Sequence, residues 1–253
     1  MNQIALCYLI PILFLLSAAC GQRSKVTDFV RQQDIDAAEY FSDRVTDFQV
    51  RVFYEQGIEP ATGPIDGAAS AWVLTFDSFS ELFNTHKGRK VTVPRTLAQM
   101  TAIPRKNVAE WDELRLVALA NSLSTGAAPG QVVAAVIFIG GNYKGEDTVL
   151  GLHFSGVRAA FIFKDNLTRF SGTQDFLNRI EQATVVHELG HVIGLVNNGV
   201  PMAIPHEDPE HPHHSTDIED VMYWDLVAAV AHINRSSLFG KNSLADAHAF
   251  HQP

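Results

Sequence analysis

Cysteine is almost absent from this chain. Its 253 residues include only Cys7 and Cys20, so nothing after position 20 can form a disulfide. The same absence leaves the body of the chain without a thiol that could serve as a nucleophile or a metal ligand. A chain of this length does not need disulfides, because it can bury a substantial hydrophobic core.

Net positive charge is also missing. The formal charge is −9 at pH 7, which argues against nucleic acid as a partner, since no basic face would offset the phosphates. Collagen-like, coiled-coil and internally repeated patterns are absent as well. With 46% hydrophobic and 19% charged residues, the composition indicates a globular chain, which we expect to be a monomer.

Long apolar runs are confined to the N-terminus. Residues 4–19 carry no charge, and this stretch is short for a membrane span but suits the apolar region of a signal peptide. It ends in Leu16-Ser17-Ala18-Ala19-Cys20-Gly21, which resembles the lipobox of bacterial lipoproteins. The resemblance implies a signal peptide over 1–19 and a lipidated Cys20 that anchors the chain in the bacterial cell envelope, at the outer membrane. A cleaved secretory signal without a lipid is the alternative.

After a polar stretch over 20–46, which we interpret as a tether, the pattern becomes that of a folded domain over 47–253. Alternating or continuous apolar runs predict strands, and apolar residues at helical spacing predict helices. The predicted strands are Phe48–Tyr54, Lys90–Val93, Val132–Ile139 and Val157–Phe163, and the predicted helices are Ala68–His86 and Val108–Leu123. Such alternation predicts an α+β or α/β domain with a mixed sheet.

The stretch His187-Glu188-Leu189-Gly190-His191 carries the strongest chemical signal. On a helix, His187 and His191 project from one face and can bind the same zinc ion, while Glu188 lies beside the metal. The residues from Phe176 to Val196 are apolar on nearly every face, which indicates a buried helix. Ser171 and Gln174 form a possible capping box at its start.

The longer pattern resembles the signature of the metzincin metallopeptidases. Gly194 stands at the turn of that signature, and Asn197 stands where the family has His or Asp. The run Val221-Met222-Tyr223-Trp224 resembles the metzincin Met-turn, and the combination is similar to a group of bacterial lipoprotein metallopeptidases. In that group cysteines flank the stretch before the Met-turn, whereas this chain has Ser215 and Asp220 there.

This resemblance implies the details of the fold. It implies an α+β, metzincin-like domain with a mixed, largely parallel sheet and an antiparallel edge strand. A long buried helix would carry the active site up to about residue 196, and a smaller C-terminal subdomain would follow over 197–253. The family's edge strand binds an extended polypeptide, and we assign that part to 157–163.

The third protein ligand is not fixed by the pattern. We favour His206, with Asp208 as the partner of its ring, and keep His214 and then Asn197 as alternatives. For any one of His211, His213 and His214, a place in a solvated acidic loop is the more ordinary interpretation. The remaining histidines are interpreted as surface residues: His86, His153, His232, His248 and His251.

The predicted activity is zinc-dependent endopeptidase action with one catalytic Zn²⁺. Zinc held by His187, His191 and His206 would activate a water molecule, and Glu188 would act as the general base and then as the acid. Two alternatives remain open: a lipoprotein that binds zinc without hydrolysis, and a non-catalytic binding module that has kept a peptidase fold. Retention of Glu188 argues against both, since metal binding alone does not need it.

Overall fold

The computed structural model describes residues 37–86, 88–123 and 126–250. The predicted signal peptide over 1–19 and Cys20 lie outside these residues. Of the predicted tether, the described residues 37–46 pack against the domain, and the helix α1 (Ala37–Phe41) buries Tyr40 and Phe41 completely. Among the residues described, no helix has both the length and the apolar character needed to cross a membrane.

The described residues from position 47 onwards form eight strands. They are β1 (Asp47–Glu55), β2 (Lys90–Thr92), β3 (Thr101–Ile103), β4 (Glu110–Trp111), β5 (Gln131–Ile139), β6 (Asn142–Tyr143), β7 (Gly151–His153) and β8 (Ala159–Phe163). Six of them form one sheet in the order β2-β1-β5-β8-β7, with β3 paired to the far end of β1. All pairs in this sheet are parallel except β7 with β8, which is antiparallel. Strands β4 and β6 form a small parallel pair of their own.

The helices lie on both faces of the sheet. After α1 they are α2 (Val73–Leu82), a 3₁₀ turn (Leu97–Gln99), α3 (Glu113–Ser122), α4 (Lys164–Leu167), α5 (Gln174–Val192), α6 (Leu226–His232) and α7 (Lys241–Ala249). The predicted fold class is therefore confirmed: the sheet is mixed and largely parallel, its edge strand is antiparallel, and a long buried helix packs against it.

The central strand β5 is covered on both faces, as its continuous apolar run predicts. Alternate residues such as Val136 and Phe138 belong to the larger core, which also contains the apolar faces of α2 and α5. The residues between them, such as Ile137, face a second core that includes Leu116 on α3. A parallel strand packed between two helical layers has no polar face, so it shows no alternation in sequence.

The edge strand is β7, and the assignment of 157–163 to that position is wrong. Strand β8 is flanked by β5 on one side and by β7 on the other. The sequence did not predict β7, because three residues are too few for strand periodicity to be recognised. Its register pairs Gly151 with Ile162 and His153 with Ala160.

Helix α5 begins later than the capping box at Ser171 predicts. Its N-cap is Thr173, whose hydroxyl accepts the N–H of Phe176. Every residue from Ile180 to Val192 is buried, in agreement with the apolar pattern. The chain leaves the helix at Gly194, where φ is +89° and an added Cβ would lie 2.6 Å from the Cβ of Ala37, so the turn and the close approach of α1 both require glycine.

The residues after 196 carry α6 and α7 and were expected to form a smaller C-terminal subdomain. Their apolar side chains, among them Met222, Val230 and Phe239, belong to the same core as α2 and α5. The end of the loop between Val200 and Val221 lies against the C-terminal half of α5, where the carbonyl of Val221 contacts the His187 ring.

Candidate metal centre

His187 and His191 project from one face of α5, as the spacing predicts. Their Nε2 atoms are 3.2 Å apart, and both residues are buried. Two nitrogens bound to one tetrahedral zinc at about 2.0–2.1 Å would be separated by about 3.3–3.4 Å. The pair is therefore already close to the spacing that a shared ion requires.

The loop after α5 adds a third imidazole, that of His214. Its ring centroid is 5.2 Å from that of His187 and 5.0 Å from that of His191. One ligand atom from each of the three residues lies within 4.8 Å of the others, and all three side chains are buried. Among the described residues this is the group of three that could hold a metal ion.

Backbone carbonyls orient two of these rings. Nδ1 of His187 is 2.6 Å from the carbonyl of Val221, and Nδ1 of His214 is 3.0 Å from that of Pro212. A carbonyl accepts only, so each Nδ1 carries the proton and each Nε2 presents a lone pair. Nε2 of His214 is buried without a hydrogen-bond partner, as expected of an atom that is free to bind a metal.

Burial keeps all three imidazoles uncharged near neutral pH. Burial, with the nearby His214, lowers the pKa of His187 to about 3, and burial lowers the pKa of His214 to about 4. Burial and the two neighbouring imidazoles hold the pKa of His191 well below its usual range. The neutral ring is the form that binds metal, so protons do not compete for this site at neutral pH.

Glu188 lies between α5 and the edge strand β7. It is buried, and an added Cβ on Gly151 would lie 2.7 Å from its Cγ and 3.1 Å from its Oε1. Only a residue without a side chain lets β7 approach the carboxylate so closely. The arrangement puts the Glu188 carboxylate next to the backbone of the edge strand.

Met222, in the run that resembles the Met-turn, packs against α5 at Gly190, and we call it the floor of the site. It is fully buried, and its Sδ would lie 2.4 Å from an added Cβ on Gly190, within the His-Glu-Leu-Gly-His run. Its N–H donates to Asp220 and its carbonyl accepts the N–H of Ser215, the residue after His214. The floor and the third imidazole are thus parts of one hydrogen-bonded unit.

The structure does not bring His206 or Asn197 to the imidazole pair. Nε2 of His206 is 2.8 Å from Asp246, and its Nδ1 is 3.2 Å from the hydroxyl of Ser215. Asn197 is exposed and donates to Glu207. Asp208, expected to support His206, instead contacts Nδ1 of His211 at 2.9 Å. The imidazole that lies beside the pair is that of His214.

Other histidines differ from their predicted surface locations. His86 and His153 are both buried, and His153 shares a small cleft with His191. His211 stacks on Trp224 with centroids 4.2 Å apart, while His232 is exposed, as expected. No local pattern in the sequence distinguishes His214 from His206, because the choice depends on how the loop folds back.

Three neutral imidazoles whose ring nitrogens converge fit Zn²⁺, the ion that the sequence predicts. Nitrogen ligands and a set of three that leaves one position open are typical of catalytic zinc. Calcium and magnesium prefer oxygen ligands, which this group does not offer.

No protein-family model matches the sequence, and no curated protein is similar to it at a significant level. Solved structures with a similar fold include archaemetzincin from Archaeoglobus fulgidus, with 16% identity over 78% of this chain and 99% of that chain and a TM-score of 0.43. A zinc-dependent peptidase from Methanocorpusculum labreanum has 13% identity over 78% of this chain and 99% of that one, with a TM-score of 0.45. Archaemetzincin from Methanopyrus kandleri has 13% identity over 81% and 95%, with a TM-score of 0.41.

Proposed function

We propose that this chain is a zinc-dependent endopeptidase of the bacterial cell envelope. The observation that carries the proposal is the convergence of three buried, neutral imidazoles on one point, with Glu188 beside them under the edge strand. A buried polar cluster without a ligand is costly, whereas the same cluster around a cation is stable.

The proposed zinc ligands are His187, His191 and His214. His206, favoured from the sequence, is engaged by Asp246 instead. When bound, zinc polarises a scissile carbonyl and lowers the pKa of a bound water toward about 7. The carbonyls of Val221 and Pro212 hold two of the rings in the tautomer that this role needs.

Glu188 supplies the proton transfers. As a carboxylate one residue after His187, it accepts a proton from the attacking water as the new bond to the carbonyl carbon forms. It then donates that proton to the leaving amine, so that the carboxylate is regenerated. Burial under Gly151 limits access of bulk water to this group, which strengthens its electrostatic interaction with the reacting atoms.

The position of β7 supports an extended polypeptide as substrate. It is the last strand of the sheet in the described part of the chain, and strands at an edge can pair with an added peptide. Its first residue, Gly151, lies over Glu188, and its last, His153, lies in a cleft with His191. A peptide that extended the sheet along β7 would therefore pass across the proposed metal position.

Attachment to the membrane is the part of the proposal that rests on the sequence alone. The lipobox-like stretch supports lipidation of Cys20 and a place at the outer membrane. In a bacterial host, the full chain should fractionate with membranes, and Cys20→Ala should release it. Equal membrane association of the two proteins would refute the lipid anchor.

The substitution Glu188→Gln tests the catalytic assignment. We expect it to retain zinc and to lower the rate of cleavage of an unfolded protein by about 10²–10⁴-fold, because the general base is lost. Glu210→Gln, an exposed change in the loop before His214, is the matched control and should cleave like the parent.

Cleavage by Glu188→Gln at the parent rate would show that this residue is not the base. If the parent chain binds zinc but cleaves no protein or peptide, the alternative of a zinc-binding protein without hydrolysis replaces the proposal.

A further inference from the structure

A buried polar pair joins the loop that carries His214 to the last helix, α7. Nε2 of His206 is 2.8 Å from Oδ2 of Asp246, and the two side chains are 2% and 0% exposed. The other oxygen of Asp246 accepts the N–H of Ala203 at 2.6 Å. Asp246 therefore links Ala203 and His206, three residues apart, to α7 by hydrogen bonds.

His206 in turn holds the segment around His214. Its ring contacts the hydroxyl of Ser215, and its carbonyl accepts the N–H of Thr216 at 2.8 Å. Two residues after His206, Asp208 donates its N–H to the carbonyl of His214 at 2.7 Å. The chain around His206 thus bonds to His214 and to both residues that follow it.

A second connection runs from α7 to the floor of the site. Asp220 is fully buried, accepts the hydroxyl of Ser243 at 2.6 Å, and accepts the N–H of Met222 at 3.0 Å. Ser243 and Asp246 are three residues apart and so share a face of α7. One helix face is therefore bonded both to the loop that carries His214 and to the turn at Met222.

We infer that His206 and Asp246 are positioning residues, which hold His214 where its Nε2 meets those of His187 and His191. The inference rests on the proposed function, because it takes these three imidazoles to be the metal ligands. Neither positioning residue reaches the metal position itself: the His206 ring lies between Asp246 and Ser215.

Such a role differs in a measurable way from simple stabilisation of the fold. A purely structural bond contributes to the melting temperature and leaves the metal geometry of the folded protein unchanged. Groups that orient metal ligands from behind change metal affinity by about 10–100-fold when removed. Because His206 contacts Ser215 and Thr216, which follow His214, and not the His214 ring, we expect about a tenfold effect, at the low end of that range.

The test measures zinc affinity of the full chain by competition with a chromophoric chelator, and visible absorption of the Co²⁺-loaded protein. Asp246→Asn keeps the size of the side chain and removes its charge. Ser215→Ala removes the hydroxyl that contacts Nδ1 of His206 and that also accepts the N–H of Asp217. We expect about tenfold weaker zinc binding for Asp246→Asn and a smaller loss of zinc affinity for Ser215→Ala. The Co²⁺ absorption band should shift in both variants.

Thr75→Val is the matched control. It breaks an equally buried hydrogen bond, 2.8 Å between Thr75 and Gln182, which does not involve the loop of His214. This variant should melt at a lower temperature and should keep the zinc affinity and the Co²⁺ spectrum of the parent.

The inference is overturned if Asp246→Asn binds zinc within twofold of the parent and gives the same Co²⁺ spectrum. Should that variant fail to fold, parent-like affinity and spectrum in Ser215→Ala overturn it instead. A parent chain that binds no zinc refutes the proposed function and this inference together, whereas a parent that binds zinc beside unaffected variants refutes only the inference.

Discussion

His187 and His214 are turned toward the same point by backbone carbonyls, one from Val221 and one from Pro212. His191 meets them from the next turn of α5, with its Nε2 3.2 Å from that of His187. Because Nε2 of His187 and of His214 each presents a lone pair and none of the three rings carries a charge near neutral pH, a cation is the partner that satisfies this group.

The third ligand is tested by comparing the zinc content of the parent with those of three variants. His214→Ala should lose zinc affinity by more than about a hundredfold, since removal of a ligand exceeds the effect of removing an outer group. His206→Ala should weaken binding far less, and Asn197→Ala should bind like the parent, because Asn197 is exposed and bonded to Glu207.

The opposite pattern of zinc content among these variants would contradict the assignment of His214. Full loss of zinc in His206→Ala together with retention in His214→Ala would restore the ligand that the sequence favours.

At the residue scale, the sequence predicts the chemistry of the site better than it predicts which side chains are in contact there. The spacing of His187 and His191 determines that their side chains lie together, because residues four positions apart on a helix share a face. The choice between His206 and His214 depends on how a long loop folds back, and no local periodicity encodes that path. What decides it is the long-range contact between His206 and Asp246, forty positions later in the chain.

Among the elements, β7 determines how closely a substrate can approach Glu188. Gly151→Ala would place a Cβ 2.7 Å from Cγ of Glu188 and 3.0 Å from a methyl of Thr184. We expect the strand to shift outward, the free energy of unfolding to fall by about 1–3 kcal/mol, and peptidase activity to fall with it. Zinc content should remain that of the parent, because no proposed ligand moves.

Gly145→Ala provides a comparison for this substitution. Gly145 has no neighbour within 4 Å of an added Cβ, although its positive φ adds some backbone strain, so activity should be preserved even if stability declines. Full activity in Gly151→Ala would contradict the proposed closeness of the strand to the reacting groups.

The elements that the sequence predicts well are those whose burial is uniform along their length. Strand β5 and the part of α5 from Ile180 to Val192 meet this condition, and the predicted positions of both elements are confirmed apart from the cap at Thr173. Helix α3 is shorter than its periodicity predicts, because Glu110 and Trp111 form β4 before Asp112 caps the helix. Strand β7 was missed because its three residues are defined by their partner strand and not by their own pattern.

At the scale of the whole molecule, the larger core connects parts of the chain that are remote in sequence. Phe79 of α2 lies against Phe48 of β1 and Phe239 before α7, with ring centroids 4.9 and 5.4 Å apart. Composition predicts that such a core exists, and the order of strands in the sheet follows from tertiary pairing that composition does not encode. The proposed metal centre lies where α5, the edge strand and the C-terminal part meet.

The stability of the whole fold in acid should depend on His153. Burial lowers the pKa of this residue to about 4, from its usual 6.5. Between these values the unfolded chain binds more protons than the folded one, so the free energy of unfolding decreases as the pH falls. His153 should account for about 2 kcal/mol of that decrease between roughly pH 7.5 and 5.

Urea unfolding at the two pH values, with a chelator present so that metal does not contribute, should show this loss in the parent and a loss smaller by that amount in His153→Gln. His232→Gln, which changes an exposed ring on α6, should behave like the parent. An equal pH dependence in the parent and His153→Gln would mean that burial of this ring does not limit the stability of the protein in acid.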